Sequence, residues 1–301
     1  MKSEIKEAIK KLKKEKDAVI LAHNYQIEDI QDIADFVGDS YDLSKKAASS
    51  QADVIVFCGV HFMAETASIL SPQKIVILPE KTAGCPLADT IEAEDVREIR
   101  TRHPEAAVVC YVNSSAAVKA ECDACCTSSN AVKVVNSLPH KEVIFVPDKN
   151  LANYVSLNTI KEIIPWKGYC NTHHRVTIED LWKVRELYPD TPILVHPECR
   201  PEVVEEADFV GGTTAIMNFV KNSCHKKFII GTEMGMLYPL QKQNPDKEFF
   251  LLSQKLICPN MKKISLEQVY HSLKNLEPQI KVPPGIAAKA LKAVNKMLEV
   301  S

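Results

Sequence analysis

Along the chain, short apolar runs closed by turn-forming residues alternate with segments whose apolar positions return every third or fourth residue. The first pattern is that of parallel strands buried on both faces; the second is that of helices covering them. Three strand-like runs open the three thirds of the chain: AVILAHNY (18–25), AVVCYVN (107–113) and PILVHPE (192–198). A second set follows, ADVIVFCGV (52–60), KEVIFVPD (141–148) and KKFIIGTE (226–233). A third set is KIVILPE (74–80), IKEIIPW (160–166) and KEFFLLSQ (247–254). Helical spacing lies between them in SYDLSKKAA (40–48), NAVKVVNSL (130–138) and EDLWKVRELY (179–188). Strands alternating with short helices predict parallel α/β layers.

The pattern is triplicated. The pentapeptide ADFVG stands at 34–38 and again at 207–211, and Asp35, Asp123 and Asp208 follow one another at 88 and 85 residues. The same two offsets align His23 with Tyr111 and His196, Tyr25 with Asn113 and Glu198, and Ser40 with Ser128 and Thr213. The spacing therefore predicts an α/β fold of three pseudo-threefold-related α/β/α three-layer domains, each with a small parallel sheet. The repeats are placed at 1–86, 87–172 and 173–261. Two closing helices within 262–301, SLEQVYHSL and GIAAKALKAVNKML, are placed against the first repeat, and Ser265 and Gln268 have capping-box spacing. ADFVG reads as a short strand leading to a turn that Gly38 and Gly211 permit, altered in the second copy. The order of strands within a sheet does not follow from the pattern.

Composition narrows the classes. The 301 residues are 46% hydrophobic and 25% charged, with a formal charge of −2. This is a globular composition with no electrostatic reason to expect a nucleic acid or an anionic membrane as partner. No apolar run approaches the ~20 residues of a spanning helix. The opening MKSEIKEAIKKLKKEK carries Ile5, Ile9 and Leu12 at helical spacing rather than the apolar core of a signal peptide, so a cytoplasmic residence is expected. Neither a G-x-G-x-x-G nor a P-loop pattern is present. Ten cysteines in such a chain point to metal or redox chemistry, with part of them serving as packing residues.

Each third run is followed by a cysteine: Cys85, Cys170 and Cys258, 85 and 88 residues apart. Functional groups gather beyond the carboxyl ends of parallel strands, so three units around one axis would bring three thiolates to a central cluster site. Structural zinc usually takes four ligands. A [4Fe–4S] cluster also normally takes four cysteines; held by three, it keeps one iron open as a Lewis acid. On spacing alone, three packed thiols at strand ends remain the alternative. The pairs His23/Tyr25, Tyr111/Asn113 and His196/Glu198 are i, i+2 and face one way in an extended strand, offering protons and a general base. Ser40, Ser128 and Thr213, if they begin helices, suit carboxylates and phosphates. Two rivals are a thiol redox protein using Cys122-Asp-Ala-Cys125 and a non-catalytic metal-binding repeat scaffold. Cys58, Cys110, Cys199 and Cys224 are expected to pack, Met63 and Met236 to lie in the core, and His103, His140, His225 and His271 to lie at the surface. His61 stays ambiguous.

LAHNYQ, QDIADFVGDS, FMAE, YVNSSA, CTSSNA, PDKNLA, HPEC and GTEMGM, in this order and with the three cysteines, resemble the quinolinate synthase family from about residue 17 to the C-terminus. The resemblance implies three pseudo-symmetric domains around a [4Fe–4S] cluster on Cys85, Cys170 and Cys258. It also implies condensation of iminoaspartate with dihydroxyacetone phosphate to quinolinate, phosphate and two waters, for NAD synthesis. The pocket residues implied are His23, Tyr25, Ser40, Tyr111, Asn113, Ser128, His196, Glu198 and Thr213, with Tyr25, Glu198, His196 and His23 as acid–base groups. A transient partner that oxidises aspartate, L-aspartate oxidase or aspartate dehydrogenase, is implied by the pathway. The sequence departs from the family pattern after Cys170, where NTHHR keeps His173 in a Cys-x-x-His placement. It also lacks a C-terminal Cys-x-x-Cys, and CDACC supplies Cys122, Cys125 and Cys126 instead.

Overall fold

A computed structural model describes residues 2–300; Met1 and Ser301, the outer ends of the first repeat and of the closing segment, lie outside the described residues. Three sheets of four parallel strands form the frame. The first holds β1 (Ala18–His23), β2 (Phe36–Gly38), β3 (Val54–Cys58) and β4 (Ile75–Ile77), the second β5 (Ala107–Tyr111), β6 (Ala124–Cys126), β7 (Glu142–Val146) and β8 (Glu162–Pro165). The third holds β9 (Ile193–Val195), β10 (Phe209–Val210), β11 (Lys227–Gly231) and β12 (Glu248–Leu251). The orders are β2-β1-β3-β4, β6-β5-β7-β8 and β10-β9-β11-β12, one topology three times. The offsets seen in the sequence are ladder register. Leu21, Val109 and Leu194 pair with Phe36, Ala124 and Phe209 on one side and with Phe57, Phe145 and Ile230 on the other.

The recurring aspartates explain themselves here. The Oδ2 atoms of Asp35, Asp123 and Asp208 accept the N–H of Ile20, Val108 and Ile193 at 2.8, 2.7 and 2.8 Å. The same aspartate amides donate back to the carbonyls of those residues. Lys13, Arg100 and Arg185 pair with them in turn. Each aspartate thus caps the entry of one short strand onto its neighbour, a place where an unpaired backbone donor would be costly.

ADFVG forms β2 and β10 with their approaches, and the second copy's version is β6, which contains Cys125 and Cys126. Gly38 and Gly211 do not have positive φ, contrary to the expectation that they permit a turn. Their reason is proximity: a Cβ on Gly211 would lie 2.8 Å from Ala215 Cβ in the helix that follows, and one on Gly38 would lie 3.1 Å from Asp42 Cβ.

Helices flank the sheets, among them Ser40–Ser49, Lys149–Ser156, Ile178–Leu187 and Thr213–Asn222. One set of packed apolar side chains runs through the first two sheets and into the third, from Ile9 to Phe228 and Met297. A smaller set, with Val176, Leu181 and Val195, fills the other side of the third sheet. Of the closing helices, Leu266–Asn275 lies against Lys2–Glu15, while Pro284–Glu299 packs on β6, Ala116–Lys119 and His61–Leu70, and so spans two repeats. In each sheet the order in which strands are added reverses between the first strand and the third, and such switch points open a crevice at the carboxyl ends.

Candidate functional site

The twelve side chains singled out by the repeat, Cys85, Cys170, Cys258, His23, Tyr25, Ser40, Tyr111, Asn113, Ser128, His196, Glu198 and Thr213, line one cavity of about 270 Å³. It lies where the carboxyl ends of the three sheets meet. The strands end sooner than the apolar runs suggest: His23 and Tyr111 are the last residues of β1 and β5, and His196 follows β9. Tyr25, Asn113 and Glu198 stand in the turns beyond, yet they reach the same space.

The cysteines sit in the loops after β4, β8 and β12. Cys170 and Cys258 cap the short helical turns Asn171–His174 and Pro259–Lys262. Burial raises all three thiols, that of Cys85 to about 12. Backbone N–H groups oppose this: Ala88 and Leu87 on Cys85, His173 on Cys170, and Met261 and Asn260 on Cys258. Three thiols that resist ionisation, each already offered main-chain donors, suit a centre of positive charge that takes them as thiolates. Cys170 Sγ, a ring nitrogen of His173 and a carboxylate oxygen of Glu198 also lie within 4.8 Å of one another.

Around the thiols runs a buried polar chain. Glu198 Oε2 lies 2.9 Å from His173 Nδ1 and 3.2 Å from His196 Nδ1. Burial opposes ionisation of Glu198, but His196 and His173 hold its carboxyl well below the usual range. An ionised carboxylate only accepts, so His173 Nδ1 carries a proton. On its other side His173 Nε2 lies 2.9 Å from Thr232 Oγ1, which in turn lies 2.7 Å from the Tyr25 hydroxyl. Burial, then the Glu198 charge, raises both Tyr25 and Tyr111, keeping the phenols protonated. His23 Nδ1 accepts the Tyr25 N–H at 3.1 Å, and burial pushes this histidine down to about 4. Glu198 Oε1 and Asn113 Oδ1 are among the buried acceptors without a partner among the described residues. Both belong to side chains that line the cavity, where a bound molecule would satisfy them.

Ser40 and Thr213 are the first residues of their helices, as expected. Ser128 is not: it lies in the turn ahead of Ala131–Ser137, with its hydroxyl 3.2 Å from His196 Nε2. The helix at Thr213 has Gly212 as its cap and no side-chain cap bond, leaving its first N–H groups for a ligand.

Several groups escaped the sequence reading. Asp39 joins the repeats by accepting from Ser129 Oγ and Thr214 Oγ1, both at 3.0 Å. Thr232, Glu233 and Asp148 stand at the ends of strands in motifs that the sequence displays (GTEMGM and PDKNLA), but their residue types do not repeat. Cys224, expected to pack, is exposed in the loop before β11, because the strand starts only at Lys227. Cys58, Cys110 and Cys199 are buried, as are Met63 and Met236. Cys125 is wholly buried in β6 with its sulfur 3.4 Å from Cys110, and burial raises its thiol. Cys122 instead points to the Val118 carbonyl. This is a poor arrangement for the Cys122/Cys125 redox reading.

Fold and site together define a triplicated α/β enzyme built around a thiol-bearing central cavity. The chain belongs to the quinolinate synthetase A protein family, whose pattern matches residues 7–299. It is 56% identical over 298 residues to the quinolinate synthase of Caldicellulosiruptor saccharolyticus, covering 99% of this chain and 98% of that one. It is 56% identical to that of Alkaliphilus metalliredigens (97% of each chain) and 52% identical to that of Methanosarcina barkeri (99% and 98%). No helix among the described residues is long and apolar enough to cross a membrane.

Proposed function

We propose that this enzyme is a cytoplasmic quinolinate synthase that condenses iminoaspartate with dihydroxyacetone phosphate to quinolinate, phosphate and two waters, serving NAD synthesis. Cys85, Cys170 and Cys258 would hold a [4Fe–4S] cluster, which when bound supplies an open iron as Lewis acid. The observation that carries this reading is the meeting of one cysteine from each repeat with the aligned polar residues in one cavity.

The side chains divide the work by their chemistry. Glu198, whose Oε1 has no partner among the described residues, takes a proton from the substrate together with His173 and His196, the bases that its carboxylate supports. Tyr25 gives a proton to the substrate and recovers one from the Glu198 end of the chain through His173 and Thr232. His196 and His23 assist from the cavity wall. The free N–H groups at Thr213, with Ser40 and Ser128, hold carboxylate or phosphate. Asn113 and Tyr111 orient the intermediate. An aspartate-oxidising enzyme supplies the unstable imine.

The test is anaerobic purification with iron and sulfide analysis and an assay for quinolinate, on wild type and single Cys→Ala variants. Cluster and product are expected to vanish with changes at Cys85, Cys170 or Cys258 and to survive changes at Cys122, Cys125 or Cys126. A cluster retained without one of the first three would refute the ligand set.

A further inference from the structure

Asp148 and Glu233 occupy the same place in successive repeats, 85 residues apart, each immediately before the helical turn that follows β7 or β11. The main chain around this point is tied alike in all three repeats. The N–H groups of His61, Lys149 and Met234 donate to the carbonyls of Ala83, Gly168 and Leu256 at 2.8, 2.8 and 2.9 Å. Each acceptor lies two residues before a cavity cysteine. A carboxyl group adds a second tie in only two repeats among the described residues: Asp148 Oδ2 accepts the Cys170 N–H at 3.0 Å, and Glu233 Oε1 accepts the Cys258 N–H at 3.0 Å. The equivalent residue in the first repeat is Val60, whose side chain offers no acceptor.

Both carboxyl groups are fully buried and both are anchored. Asp148 Oδ1 accepts from the Leu151 N–H at 2.7 Å. Glu233 Oε2 accepts from the Gly235 N–H at 2.7 Å and pairs with Lys262 Nζ at 2.9 Å. Groups this deep are costly unless their lone pairs are used, and here they are spent on cysteine amides. The three thiols do not differ in class of exposure, and each receives main-chain N–H groups. Cys170 also lies 3.3 Å from His173 Nδ1 and Cys258 meets the Thr172 hydroxyl, but the amide-to-carboxyl tie is the one feature that Cys170 and Cys258 share and for which Cys85 has no counterpart among the described residues.

We propose that Asp148 and Glu233 are positioning residues that fix the amides, and through them the sulfurs, of Cys170 and Cys258. Cys85, opposite Val60, is then the ligand that lets go first. This rests on the reading of the three cysteines as cluster ligands.

Iron and sulfide per wild-type chain decide that underlying reading by themselves. The positioning role is read from two other measurements on the anaerobically purified full-length protein. One is the rate of iron release to a ferrous chelator; the other is the order in which Cys85, Cys170 and Cys258 become alkylated by iodoacetamide, followed by mass spectrometry. Wild type is expected to be alkylated first at Cys85. Asp148→Ala and Glu233→Ala are expected to release iron about 10-fold faster or more, with Cys170 or Cys258 respectively modified as early as Cys85. Asp148→Asn and Glu233→Gln keep an acceptor oxygen and are expected to recover most of the wild-type rate. Unchanged release in the alanine variants, or Cys170 or Cys258 alkylated ahead of Cys85 in wild type, overturns the proposal. If the alanine variants do not fold, the wild-type order of alkylation and the amide variants decide it.

Discussion

The Tyr25 hydroxyl stands 2.7 Å from Thr232 Oγ1, a contact that joins the first repeat to the third. Thr232 is fully buried and lies 2.9 Å from His173 Nε2, so among the described residues its hydroxyl connects the phenol to the histidine that faces Glu198. Thr232→Val keeps the shape and removes the hydroxyl. Turnover is expected to fall about 10-fold to 100-fold, toward the low end of what a positioned proton-transfer group contributes, with KM and iron content near wild type. Steady-state kinetics beside an iron assay check this; a wild-type kcat would show that the chain carries no protons.

The aspartate caps predict a purely structural effect. Asp123→Ala leaves the Val108 N–H without its side-chain acceptor and Arg100 without its carboxylate partner, though still bonded to the Glu121 carbonyl. A loss of about 1–2 kcal/mol is expected, with activity per folded molecule unchanged because Asp123 does not line the cavity. Asp123→Asn retains an acceptor and is expected to recover part of the loss. Urea unfolding of the three proteins measures it.

These caps also show what the sequence reveals and what it hides. Asp35, Asp123 and Asp208 keep one residue type at one register, so the triplication is readable from letters alone. Cys85, Cys170 and Cys258 are readable for the same reason. Asp148 and Glu233 are not: their first-repeat counterpart is Val60, and three different residues at one position leave no pattern. Thr232 is hidden similarly, since its register partners are Gly59 and Pro147. Strand order is set by which apolar faces meet at long range, and every run is apolar on both faces, so periodicity alone does not fix it. The helix that spans two repeats, Pro284–Glu299, has an amphipathic pattern that says it packs but not on what.

His23 gives the stability a pH dependence of known sign. Its folded value is about 4 against an ordinary 6.5, chiefly through burial. Between these values the unfolded chain binds a proton that the folded chain refuses, so stability falls as pH falls. From about pH 7.5 to about pH 5, wild type is expected to lose about 2 kcal/mol more than His23→Gln, at about 1.4 kcal/mol per unit below the ordinary value. Denaturant unfolding at a series of pH values tests this, and parallel curves for the two proteins would contradict a buried neutral His23.

Gly235 has no room for a side chain. A Cβ there would lie 2.7 Å from both the carbonyl carbon and oxygen of Tyr25 and 2.8 Å from Lys262 Nζ. The Gly235 N–H also donates to Glu233 Oε2, so the same residue borders the Tyr25 main chain and the Glu233–Lys262 pair. Gly235→Ala must push the Tyr25 backbone aside or part that pair, because the contact is with backbone rather than a side-chain end. A destabilisation of about 1–3 kcal/mol is expected, as for other overpacked sites. Activity should fall further than stability alone explains, since the displaced Tyr25 leaves its contact with Thr232. Gly285→Ala is the matching control: nothing lies within 4 Å of its Cβ and it sits in the helix Pro284–Glu299. There the substitution is expected to gain about 0.5–1 kcal/mol with turnover intact. Thermal unfolding and turnover measured on both variants separate crowding at Tyr25 from a general intolerance of alanine; equal behaviour of the two would remove the steric argument.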